Sequence, residues 1–115
     1  MHLPLVEAIV KVEERPAVYV LLSNAGDYLY KGACRNLKER LKDHHAGRAP
    51  RTRNRRPLTL VHYEYFDLYT AALRREKELK SGHGRAWLKD LLHLQQTGQT
   101  VPPEADPPPA GNLLA

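Results

Sequence analysis

The chain has 115 residues, with 18 Lys or Arg against 13 Asp or Glu, a formal net charge of +5, and 42% hydrophobic and 27% charged residues. That length suits one domain with a modest core, and the composition is that of an ordinary globular protein. No apolar run is long enough to span a membrane, residues 1–15 lack a secretory-signal pattern, and the single cysteine, Cys34, excludes an intramolecular disulfide and a cysteine-based zinc site, so a reducing cytoplasm is the expected compartment.

Residues 2–14, HLPLVEAIVKVEE, mix apolar and charged positions and fit either a short strand or a helical turn. Residues 1–15 are taken as an N-terminal extension, 16–98 as the domain and 99–115 as a proline-rich mobile tail. Ala17 to Leu22, AVYVLL, is rich in β-branched and aromatic residues and predicts a strand. SNAGD supplies turn residues, and YLYKG predicts a second strand, so the two form a hairpin. With a loop of Ser23 to Gly26, Leu22 pairs with Asp27 and Tyr19 lies opposite Tyr30, both phenols on one face. A slip of one residue would send them to opposite faces. Asn36 followed by Glu39 fits a capping box opening a helix from Leu37 to His45. On that helix Leu37 and Leu41 define an apolar face, while Arg40 and His44, also four apart, share a different one. AGRAPRTRNRRP reads as a polar loop, LTLVHYEYF (Leu58 to Phe66) as a third strand, and TAALRREKELKSG as a helix stopped by Gly82. RAWLKDLLHLQQ reads as a last helix with Trp87 in the core. This order predicts an α+β fold: a small three-stranded antiparallel sheet flanked by helices.

Charge is concentrated in one segment. Between Arg35 and Pro57 there are nine Lys or Arg opposed only by Glu39 and Asp43, so the rest of the chain is slightly acidic. A contiguous positive patch of this kind attracts polyanions, nucleic acid first among them. Lys31, Arg35, Arg48, Arg51, Arg53, Arg55 and Arg56 are the candidate phosphate contacts. His62, His83 and His93 show no ligand spacing.

Four stretches, in this order and spacing, resemble the GIY-YIG nuclease superfamily. They are Ala17-Val18-Tyr19, then Tyr30-Lys31-Gly32, then NLKERLKDH with Arg40 and His44, then AALRREKELK with Glu76. The likeness runs from about Pro16 to Leu92, is greatest to small stand-alone bacterial members, and extends to the GIY-YIG domain of the excision-repair nuclease subunit. The resemblance implies a metal-dependent endonuclease acting on DNA, single- or double-stranded, with RNA also open and DNA repair as one setting. It implies Glu76 as the one protein ligand of a single Mg²⁺ or Mn²⁺ ion. It further implies Tyr19 as general base, with Tyr30 positioning the water or phosphate.

These residue types suit the chemistry. Phosphodiester hydrolysis needs a deprotonated water and cations around a charge-rich transition state. Glu76 is a hard oxygen ligand, and Arg40 offers a planar fork of donors that keeps its charge. Gly32 leaves room for backbone or substrate at the strand end. A tyrosine, with a pKa of about 10, needs nearby cations to serve as a base. His44 could shuttle a proton or hold Tyr30 or a phosphate. Many superfamily members carry an asparagine about three turns after the glutamate, where this chain has Leu88. Two other readings stay open: a nucleic-acid-binding module that does not cut, and a basic protein-interaction domain. No membrane association and no obligate protein partner is expected.

Overall fold

A computed structural model describes residues 2–23 and 28–96. In chain order these form β1 (Leu3–Pro4), α1 (Leu5–Lys11), β2 (Ala17–Ser23), β3 (Leu29–Cys34), α2 (Leu37–Ala46), a 3₁₀ turn (Arg53–Arg55), β4 (Leu58–Tyr65), α3 (Tyr69–Leu79) and α4 (Gly82–Gln96). The strands make one antiparallel sheet in the order β1-β4-β2-β3. The fold is α+β as the element order predicts, but the sheet has four strands rather than three. The extra one, β1, is a two-residue edge piece paired with Thr59 and Leu60 of β4. It is too short to show alternation, and an edge is where a strand proline is tolerated.

The segment before Pro16 is part of the core. Leu5, Ala8 and Val12, at helical spacing, are buried with the first face of the sheet. The 99–115 tail of the sequence reading lies outside the described residues. Among the described residues, no helix is long and apolar enough to cross a membrane.

β2 is central, and Ala17 to Leu21 are buried on both faces, which is why the stretch reads as an unbroken apolar run. Ala17, Tyr19 and Leu21 face α1 and α2, packing with Leu37, Leu41, Leu58 and Leu60. Val18 and Val20 face α3 and α4, packing with Val61, Leu79, Leu88 and Leu91. β4 serves both layers through a bulge: Val20 pairs with His62 but Leu21 with Leu60, leaving Val61 as the extra residue.

Beyond the bulge, His62 and Glu64 meet α3. Glu64 accepts from Arg75 Nε at 3.0 Å, Arg75 also donates to Glu78 at 2.7 Å, and His62 Nε2 lies 2.7 Å from Glu64. The His62 ring meets half-buried Trp87 edge-on, 5.1 Å between centroids. Arg75 is only 2% exposed, so the charged run on α3 is not uniformly solvated. Burial raises the Glu64 pKa, but the His62 hydrogen bond and the Arg75 charge outweigh it and leave it lowered.

Gly82 is not a helix stop. α3 already ends at Leu79, where the Lys80 N–H reaches the Glu76 carbonyl, and Gly82 begins α4. The glycine that matters here is Gly84. A Cβ there would lie 2.1 Å from the Glu78 carbonyl oxygen and 2.6 Å from Leu79 Cα, so α4 crosses the end of α3 in backbone contact.

Candidate active site

The hairpin register places the two tyrosines. Tyr19 pairs with Gly32 and Leu21 with Tyr30, two residues away from the expected pairing of Tyr19 with Tyr30. Ser23 is the reason: it belongs to β2, where its N–H bonds the Tyr28 carbonyl and its hydroxyl donates to the Arg55 carbonyl at 2.8 Å. A shift of two keeps the face, because side chains alternate with period two. Tyr19 and Tyr30 therefore stay together, with ring centroids 6.2 Å apart.

Gly32 makes room for the Tyr19 ring rather than for an approaching substrate. A Cβ on Gly32 would lie 2.6 Å from the Tyr19 hydroxyl oxygen and 2.9 Å from a Tyr30 ring carbon. Tyr19 is fully buried and cannot swing aside. Gly32→Ala is expected to lower stability by about 1–3 kcal/mol, read from the urea midpoint. A variant as stable as the parent would show that the ring has slack.

α2 supplies the other half of the cluster. Asn36 caps it, its side chain accepting from the Glu39 N–H at 3.1 Å, while the Glu39 carboxylate pairs with Lys42 instead of closing the box. His44 does not share an outer face with Arg40 alone. It is fully buried with Leu37 and Leu41, with Arg40 at the margin, whereas His45 is exposed. The Tyr19 hydroxyl lies 2.7 Å from His44 Nε2, and His44 Nδ1 lies 2.7 Å from Thr52 Oγ1. The His44 ring is within 5.4 Å of the Tyr19 centroid and 5.2 Å of that of Tyr30.

Burial, with the Arg40 charge adding to it and Asp43 opposing, lowers the His44 pKa to about 4. His44 is therefore neutral at pH 7, and one consistent proton order runs Tyr19 O–H to Nε2 and Nδ1–H to Thr52. Burial pushes the Tyr19 phenol far above its usual range and Tyr30 adds to this, while Arg40 pulls it back. Burial works against the Arg40 charge, but its interactions with the Tyr19 and Tyr30 hydroxyls prevail and leave its pKa raised. Asp43 buttresses Arg40 from outside at 3.6 Å.

The buried neutral histidine has a consequence for folding. Below about pH 6.5 the unfolded chain protonates His44, and the folded chain does so only near pH 4. Stability is thus expected to fall as pH drops through that window. Glu64, whose pKa is lowered, gives up its contribution only at more acid pH. Urea midpoints from pH 7 to pH 4.5 check this: His44→Gln should lose part of the slope, and an unchanged slope would mean that His44 titrates normally.

Glu76 is carried by a different element from this cluster. It sits on α3, which packs on β3, and its half-buried carboxylate pairs with Lys80 at 2.6 Å. Among the described residues no group of three or more His, Cys, Asp or Glu is placed to hold an ion. A single carboxylate is too few donors for a zinc centre, and a hydrated Mg²⁺ or Mn²⁺ held there would have to displace the Lys80 ammonium.

The basic loop is tied down. Ala49 and Thr52 are buried beneath it, and the Thr52 and Arg53 N–H groups bond the Ala49 carbonyl. Arg56 lies over Gly47 at the end of α2 and donates to the His45 and Arg53 carbonyls. Arg55 lies over the Tyr28 ring at 4.2 Å, and Arg48 pairs with Asp43 at 2.9 Å. Arg51 and Arg53 are exposed, and Arg35 covers the Tyr69 ring. Lys31 leaves the sheet on the opposite side from Tyr30 and feels Arg85 and Lys80. Thr52 is the participant that sequence reasoning missed: a threonine among arginines in a polar loop carries no signal of burial.

The tyrosine pair, Arg40 and buried His44 thus lie on the α2 side of the sheet, while Glu76 is carried by α3. The chain matches the model of the GIY-YIG catalytic domain over residues 15–89 and belongs to that family. It is 48% identical to a UPF0213 protein of Natronomonas pharaonis over 82 residues, 70% of this chain and 93% of the relative. It is 43% identical to one of Haloquadratum walsbyi over 65 residues, 55% and 73% of the two chains. A third, of Lactiplantibacillus plantarum, is 42% identical over 76 residues, 64% and 74%. No solved structure matches the chain.

Proposed function

We propose that the chain is a metal-dependent endonuclease that hydrolyses phosphodiester bonds in DNA. One observation carries the reading: the Tyr19, Tyr30 and His44 rings are gathered on one face, with the Tyr19 hydroxyl 2.7 Å from His44 Nε2 and the Arg40 charge acting on both phenols. Arg40 presents its guanidinium to a phosphate, and Tyr30 orients the phosphate or the attacking water. Tyr19, fully buried, holds its proton toward His44 Nε2, with Thr52 fixing the imidazole through Nδ1, and half-buried Tyr30 is the member of the pair that meets the attacking water. Glu76 would hold one divalent ion, which when bound supplies a Lewis acid and lowers the pKa of its water.

The test is incubation of the chain with single-stranded DNA, duplex DNA and RNA, each with Mg²⁺, Mn²⁺ or EDTA. Metal-dependent cleavage of DNA is expected. Binding without cleavage under every metal would favour the non-cutting module, and no binding to any nucleic acid would favour a protein-interaction domain.

The loop can be probed without disturbing its anchors. Arg55 and Arg56 make structural contacts, so Arg51→Ala with Arg53→Ala is the informative pair. Duplex binding should weaken for any sequence, and its salt slope should fall by up to about two units. An unchanged slope would take this loop off the nucleic-acid path.

A further inference from the structure

On the reverse side of β3, a groove of about 390 Å³ runs between the strand and α4. Leu29, Leu88 and Leu92 form its apolar floor, and Lys31, Arg85 and Lys89 stand around it. The cations are crowded enough that burial, Arg85 and Lys80 together lower the Lys31 pKa. Like charges held together beside an apolar floor match a ligand with an anionic edge and a flat, weakly polar body. We propose that this groove binds an unpaired nucleotide of the substrate strand, its base on the leucines and its phosphate on the lysines and Arg85. The inference rests on the nuclease reading and narrows it to substrates that are single-stranded beside the cleavage point.

The argument from position is independent of charge. Tyr30 and Lys31 are neighbours on β3, so they project from opposite faces of the sheet. Among the described residues β3 is the last strand of the sheet. A ligand touching both the Arg40 cluster and the groove must turn around that edge within about one residue. Duplex DNA, stiff over about 150 base pairs, resists such a turn. A single strand makes it freely, and its bases are unstacked and available to an apolar floor. Leu88 acquires a role here, as part of that floor.

The experiment measures binding of fluorescent oligothymidylate, an abasic oligomer of equal length and a matched duplex, all in EDTA. The expected order is oligothymidylate tightest, with the abasic strand roughly fivefold weaker or more. Lys89→Glu, at an exposed position, should weaken oligothymidylate binding several-fold and lower its salt slope by about 0.7. Methyl NMR of the parent should show Leu29 and Leu92 resonances shifting with oligothymidylate and staying still with the abasic strand. Equal affinity for the two single strands, or unmoved leucine methyls in the bound state, overturns the proposal. A chain that cuts DNA but shows either of these outcomes loses only the groove. One that shows the expected binding but never cuts keeps the groove and loses the nuclease.

Discussion

Arg40→Ala is expected to slow DNA cleavage by ~100-fold or more while the chain remains folded. The guanidinium is the cation whose charge acts on both phenols, and its removal takes a charge-assisted contact away from the developing negative charge. Binding should weaken only modestly, since one phosphate contact is lost. Burial is the main cause of the lowered His44 pKa and the Arg40 charge adds to it, so the variant's histidine should titrate somewhat closer to its ordinary range. The acid loss of stability should therefore set in over a narrower window of pH. Arg40→Lys keeps a charge but not the fork, so it should recover the titration more fully than the rate. Single-turnover rates with unfolding at several pH values check both parts. An Arg40→Ala chain that is folded and cuts at the parental rate removes this cluster from the chemistry.

Glu76→Ala is expected to abolish detectable cleavage for a different reason. It deletes the carboxylate that would hold the ion, leaving the cationic cluster untouched. Binding in EDTA should be equal or tighter, because Lys80 loses its 2.6 Å partner and a negative charge leaves the face that meets a polyanion. The structural loss should be small, as the pair bridges one turn of helix and Lys80 is half exposed. Raising Mn²⁺ should not restore the rate. Metal-dependent cleavage by folded Glu76→Ala at the parental rate would place the ion elsewhere.

The sequence made local order legible. Strand, strand, helix, strand, helix, helix could be followed from alternation, helical spacing and turn residues, and Asn36 marked the start of α2. The shared face of Tyr19 and Tyr30 could be inferred even though the register was off by two, because parity survives an even shift. Long-range contacts were not legible. Ser23 fixes the hairpin through Arg55, 32 positions away. Thr52 lies under a loop whose composition signals solvent, and the burial of Arg75 depends on Glu64, which sits on another element. Gly32 invited a substrate explanation, and the space it leaves belongs to Tyr19.

The place of β3 at the end of the sheet has a further consequence. A terminal strand presents unsatisfied N–H and C=O groups to any extended chain that comes near, including the same strand of another copy. Here Lys31 stands in the middle of that strand and Arg35 just beyond it. Two copies meeting edge to edge would bring these cations together, so the charge that invites a polyanion also discourages sheet-to-sheet polymerisation. Neutralising it should make the protein sticky toward itself, and a bound nucleic acid would act as a solubilising cover for the same edge.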